Sequence, residues 1–172
     1  SLPQFSGTSA RAACLIDAKS GAVLYSYNSD KRLPMASTTK IMTALTVLEM
    51  LDPDKEITVP KEACGVEGSS IYLYPQEKIT VKNLLYGLML ESGNDAASAL
   101  AYACCGSEEK FAELMNRKAH NLGLIDTHFT NPHGLPDENH YTTAYELALI
   151  AAKALENEDF RTITSTVTYA CK

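Results

Sequence analysis

A chain of 172 residues with 45% hydrophobic and 21% charged residues suits one globular domain able to bury a sizeable core. Its formal charge of −6, with no basic cluster and no interleaved aromatic run, argues against a nucleic-acid partner. No apolar run reaches the length of a membrane span, and no signal peptide is visible.

Two β-branched and apolar stretches, 12–17 and 22–27, flank Ala18-Lys19-Ser20-Gly21 and predict a hairpin. Ser26-Tyr27-Asn28 at its end has a Ser-x-Asn form but sits before a polar turn and is assigned no role. The next element predicts chemistry. Ser37-Thr38-Thr39-Lys40 opens an apolar run, Ile41 to Leu48, broken only by Glu49 before Leu51, which reads as a helix over 38–51 buried on most faces. A cation in a first helical turn opposes the macrodipole, and apolar surroundings disfavour the ammonium form. Both effects push Lys40 toward a neutral amine that can accept a proton, while Ser37, one turn back on the same face, can donate one. A serine activated by an adjacent base is the minimum for acyl transfer. A plain N-cap serine is the competing reading of Ser37, and it leaves Lys40 unexplained.

Short extended pieces at 57–59 and 78–80 enclose a loop rich in Gly, Ser and Pro, and helices are expected over 81–90 and 95–105. Between those helices lies Glu91-Ser92-Gly93-Asn94-Asp95. Ser92 can relay a proton, and Asn94 offers an amide donor and a carbonyl acceptor. The bland alternative is an interhelix turn in which one of them caps the next helix. Ser107-Glu108-Glu109-Lys110 repeats the Ser-x-x-Lys spacing, but it follows Gly106 and reads as an N-cap with solvated, dipole-compatible acids opening a helix over 108–121. Thr143-Ala144-Tyr145-Glu146 has the form of a capping box before a helix over 143–155. Alternating Thr162, Thr164, Thr166 and Thr168 predict a strand or extended connector over 156–172.

Five cysteines form no Cys-x-x-Cys pair; Cys14 and one of Cys104 and Cys105 are expected to be buried as small hydrophobes, and no disulfide can be assigned. The histidines have no zinc-like spacing with them, so no metal is expected, and His133, between Pro132 and Gly134, reads as a loop-organising residue.

Ser37-Thr38-Thr39-Lys40 followed by Ser92-Gly93-Asn94 resembles the first two of three signature motifs of the penicillin-binding proteins and serine β-lactamases. More specifically, the segments 13–25, 33–43, 129–135 and 140–148 resemble, in order, the first hairpin, nucleophile segment, later loop and helix of the low-molecular-weight D-alanyl-D-alanine carboxypeptidases. The resemblance implies an α+β, β-lactamase/transpeptidase-like fold: an N-terminal β-hairpin plus a helical subdomain, with the later sheet strands outside this chain, so that 1–172 would be a partial carboxypeptidase domain. The family's third motif, Lys-Thr-Gly, is absent, and with it the strand expected to bind the substrate carboxylate and complete the oxyanion hole. These 172 residues alone are therefore expected to be inactive.

For the whole enzyme the resemblance implies a two-step acyl transfer without a cofactor. Ser37 would attack the carbonyl between the terminal D-alanines of a peptidoglycan stem peptide, Lys40 would take its proton, Ser92 would pass a proton to the departing amine, and Asn94 would hold the substrate backbone and Lys40. β-Lactams would acylate Ser37 by imitating the scissile bond. Action outside the cytoplasm is implied, through a C-terminal membrane anchor beyond this sequence. The first strand would lack its family partner, which predicts a complementing chain or self-association at that edge. An inert remnant or wall-binding module is the rival from another class. A class A β-lactamase is the third reading, and its Glu-x-x-Leu-Asn motif is missing.

Overall fold

The computed structural model describes residues 9–171. Strands β1 (Ala13–Ile16) and β2 (Val23–Tyr27) pair antiparallel, with Leu15 opposite Tyr25, in the expected hairpin. The chain then enters a helical body: a short 3₁₀ turn, Ala36–Thr38, runs straight into α1 (Thr39–Met50). A second hairpin of β3 (Glu56–Thr58) and β4 (Lys78–Thr80) sits at the edge of that body, with Ile57 opposite Ile79. Helices α2 (Val81–Leu90), α3 (Asn94–Cys105), α4 (Glu108–Asn121), α5 (Ala144–Ala154) and α6 (Glu158–Ser165) complete the order.

Helix α1 is the axis of the core. Thr39, Lys40 and every residue from Met42 to Val47 are buried, surrounded by α2 to α6. Such burial leaves no solvent face before the last turn, where Glu49 and Met50 are exposed, so the helix is held by packing rather than by caps: its N-cap, Thr38, makes no capping hydrogen bond. On α3, Ala96, Ala97, Ala99 and Ala101 are fully buried, and their small side chains let that helix lie close against α1. The outer helices start where local chemistry dictates. Thr80 accepts from the Asn83 N–H at 3.2 Å, Ser107 from Lys110 N–H at 3.2 Å, and Thr143 from Glu146 N–H at 3.1 Å, each occupying one orphan donor of a first turn.

Two expectations fail in instructive ways. The capping box at Thr143 is only half formed: the Glu146 carboxylate turns away and accepts from Ile125 N–H at 2.9 Å, Asp126 N–H at 3.0 Å and Thr127 Oγ1. And about half of the segment predicted to be extended, Glu158–Ser165, is α6. Asn157 caps it by accepting from Phe160 N–H at 3.0 Å, and Phe160 and Ile163, three apart on one face, bury themselves in the core. Burial of two large side chains outweighs the weak strand preference of alternating threonines. The cysteines differ as well. All five thiols are free; Cys14, Cys64, Cys104 and Cys105 are half-buried rather than buried, and Cys171 is exposed. Among the described residues no helix is long and apolar enough to cross a membrane.

Candidate active site

The 3₁₀ turn places Ser37 at the surface directly above the buried start of α1, where Lys40 is 2% exposed. Ala36, just before the serine, holds φ at +46°, a conformation that costs an alanine about 1 kcal/mol or more and turns the chain sharply at this point. The Lys40 amine reaches three oxygens: Asn94 Oδ1 at 2.7 Å, the His133 main-chain carbonyl at 2.8 Å and Ser37 Oγ at 3.2 Å. The serine caps no helix, so the competing N-cap reading is not what the geometry shows.

The valence of the amine then sets its direction. The His133 carbonyl can only accept. Asn94 Oδ1 also accepts, because the Asn94 Nδ2 is committed to donating to the Glu67 carbonyl at 2.6 Å. A charged amine satisfies all three oxygens with its three N–H bonds. A neutral one keeps its two N–H bonds on the two obligate acceptors and turns its lone pair toward Ser37 Oγ. Loss of one proton both generates the base and aims it.

Burial lowers the Lys40 amine from 10.5 to about 8. The neutrality expected from the sequence is therefore partial: at pH 7 about a tenth of the amine is free base. Ser92 and Asn94 do not cap α3, whose N-cap is Gly93 with no side-chain bond. The structure brings Ser37, Lys40 and Asn94 together, whereas Ser92, half-buried at φ +57°, hydrogen-bonds to none of them.

Four further groups build this site in ways the sequence reading did not assign. Asp95, buried, accepts from Ile71 N–H at 3.0 Å, Leu73 N–H at 3.0 Å and Ser70 Oγ at 2.7 Å, hanging the 69–73 loop beside Asn94. An acid in the first turn of a predicted helix was the available signal, and it points equally to a solvated dipole partner. His133 organises its loop as expected, but its carbonyl, which no sequence pattern encodes, accepts from Lys40. Glu108 is not solvated as its N-cap context suggested: it accepts from Ser98 Oγ and lies 3.6 Å from His133 Nε2. Burial pushes the Glu108 carboxyl up, but His133 and Ser98 outweigh it and hold it below its ordinary value. Finally, His140 is buried between the loop and α1. Its Nδ1 accepts from Thr130 N–H at 3.0 Å, which puts the ring proton on Nε2, 2.7 Å from Thr39 Oγ1.

Burial, then the neighbouring His133, press the His140 imidazole from 6.5 down to about 4. Between those values an unfolded chain binds a proton that the folded one refuses, so stability is complete above pH 6.5 and drains away as pH falls through 4. The full effect is about 3 kcal/mol. Denaturant titrations at about pH 7 and about pH 4.5 should show wild type losing more stability than His140→Gln, which cannot titrate; equal losses would exclude this origin.

With hairpin, helical body and site in place, the architecture is that of the serine DD-peptidases and transpeptidases. A variant of the DD-transpeptidase of a Streptomyces strain superposes with a TM-score of 0.92 at 36% identity, covering 98% of this chain and 69% of that one. Penicillin binding protein 6B from Escherichia coli gives 0.90 at 31% identity, over 98% and 57% of the two chains. The family model for D-alanyl-D-alanine carboxypeptidase, peptidase family S11, matches residues 3–171, and the chain belongs to that family. Its relatives include D-alanyl-D-alanine carboxypeptidase DacF of Bacillus subtilis, 44% identical over 162 residues that make up 91% of this chain but 42% of the relative. The chain thus spans about two fifths of the length of that relative.

Proposed function

We propose that the whole protein is a serine-type D-alanyl-D-alanine carboxypeptidase that removes the terminal D-alanine of peptidoglycan stem peptides through an acyl-enzyme on Ser37. The observation that carries this is the Lys40 amine, buried, lowered to about 8 and held 3.2 Å from Ser37 Oγ by two acceptors that leave its lone pair facing the hydroxyl. Family membership and the curated relatives' shared name support the substrate class.

In this reading Lys40 takes the Ser37 proton as Oγ attacks the carbonyl. The tetrahedral oxyanion is stabilised in part by the Ser37 N–H at the helix start. Ser92 relays the proton gained by Lys40 to the departing D-alanine nitrogen, and Asn94 offers its carboxamide to the substrate backbone. Water then cleaves the ester. Penicillins enter the same path and stop at the ester. The protein works outside the cytoplasm on the cell wall, held to the membrane by a C-terminal anchor. Among the described residues β1 pairs with β2 alone, and its other edge would receive a further strand.

The test is release of D-alanine from a stem pentapeptide by the full-length protein, with intact-mass detection of a β-lactam adduct on Ser37. Because only the neutral amine serves as base, the acylation rate should rise about tenfold from pH 7 to well above 8. No D-alanine release and no adduct would overturn the reading; a rate flat across that range would remove Lys40 as the base.

A further inference from the structure

Glu108 lies in the first turn of α4, in the second Ser-x-x-Lys of the chain, and nothing in the proposed chemistry calls on it. Yet its side chain is only 27% exposed, and it bridges two elements of the site. It accepts from Ser98 Oγ on α3 and stands 3.6 Å from Nε2 of His133, itself 7% exposed. The His133 ring is oriented from both ends. Leu135 N–H donates to Nδ1 at 3.2 Å, so the proton sits on Nε2 and faces the Glu108 carboxylate. The carbonyl of this same residue accepts from Lys40 at 2.8 Å.

That carbonyl is one of the two obligate acceptors that point the Lys40 lone pair at Ser37. Were it to swing away, the neutral amine would have an N–H to spare, and Ser37 Oγ would receive a hydrogen bond where it needs to lose a proton. The backbone of the loop has its own anchors: Asn131 Oδ1 accepts from His133 N–H at 3.3 Å and from Gly134 N–H, in the same peptide unit as the His133 carbonyl, at 2.7 Å, and Thr43 Oγ1 donates to the Pro132 carbonyl at 2.6 Å; the imidazole is the remaining handle on that peptide. Among the described residues, Glu108 is the group that faces the outer end of the His133 side chain, at Nε2.

We infer that Glu108 is a positioning residue for acylation: through the His133 imidazole it holds the His133 carbonyl against Lys40, and so sets the direction of the general base. This rests on the reading of Ser37 as nucleophile and Lys40 as base. Glu108 touches neither substrate nor the reacting atoms, so its removal should slow the chemical step and leave substrate binding alone.

The experiment measures, in the full-length protein, the β-lactam acylation rate constant separately from the dissociation constant of the non-covalent complex. Glu108→Ala should lower the rate constant about tenfold and leave the dissociation constant within about twofold. Glu108→Gln, whose amide oxygen can still face Nε2–H, should recover most of the rate. His133→Asn keeps an acceptor for Leu135 N–H but cannot reach Glu108; it should repeat the loss, and the double variant should be no slower than either single one. Should Glu108→Ala fail to fold, His133→Asn carries the test with the Glu108–Ser98 contact intact. Unchanged rates in the single variants, losses that add in the double, a loss confined to the dissociation constant, or a Glu108→Gln variant as slow as Glu108→Ala would each overturn the assignment. If wild type is never acylated, the functional reading itself falls; if wild type is acylated normally and the variants match it, only the role of Glu108 does.

Discussion

Replacing Ser37 by alanine should abolish covalent labelling of the full-length protein by a fluorescent penicillin and reduce D-alanine release by about 10³-fold or more. Among the described residues no other hydroxyl is hydrogen-bonded to a buried amine of lowered basicity. Ser107, which shares the spacing to Lys110, spends its oxygen on capping α4, and Lys110 is exposed. Lys40→Ala should cost a comparable factor, and the double variant little more, because nucleophile and base act as one unit. Removing the lysine also strips Asn94 Oδ1 and the His133 carbonyl of their donor, so its loss should destabilise the protein in addition to silencing it. Ser37→Ala leaves those buried bonds in place and should be close to neutral for stability. Labelling that persists in Ser37→Ala, at whichever residue, would overturn the assignment.

The second large effect concerns a residue with no side chain. A Cβ on Gly134 would sit 2.0 Å from the carbonyl oxygen of Ala36 and 3.0 Å from Thr39 Oγ1, and the position holds φ at +93°. The neighbour cannot yield: the Ala36 atoms are backbone, already at φ +46°, and Ala36 immediately precedes Ser37. Gly134→Ala should therefore cost about 3 kcal/mol or more and displace Ser37 enough to slow acylation by about 10²-fold. The comparison is Gly106→Ala at the end of α3. It holds φ at +78° but would meet nothing within 4 Å, so it should cost only the conformational strain, about 1 kcal/mol, and leave acylation unchanged. Equal losses in the two variants would mean that strain, not the close approach, governs Gly134. A denaturation midpoint and an acylation rate for each protein decide it.

These two residues show how the site is made. Ser37 and Lys40 are three apart on one helical start, and their proximity follows from the helical repeat whatever surrounds them. The hairpin, the Ser107 and Thr143 caps and the spans of α2 and α4 were readable for the same reason: turn chemistry, capping and amphipathic period act over four residues or fewer. The resemblance carried further, bringing Ser92-Gly93-Asn94 into the same reading because motif order stands in for the fold that local rules cannot supply.

Everything that turns a serine and a lysine into a directed pair came from long range. Lys40 finds its acceptors 54 and 93 positions away, and the loop bearing one of them is pinned to Thr39 by His140 across 101. Helix α6 formed against its own alternating pattern because the core had room for Phe160 and Ile163. Glu146 left its capping box, and Glu108 left solvent, for backbone and histidine partners from other segments. Local pattern specifies which groups a segment presents. Which of them lose water, and so whether an amine becomes a base or a carboxylate a strut, is set by burial and by partners that only the closed fold brings within reach.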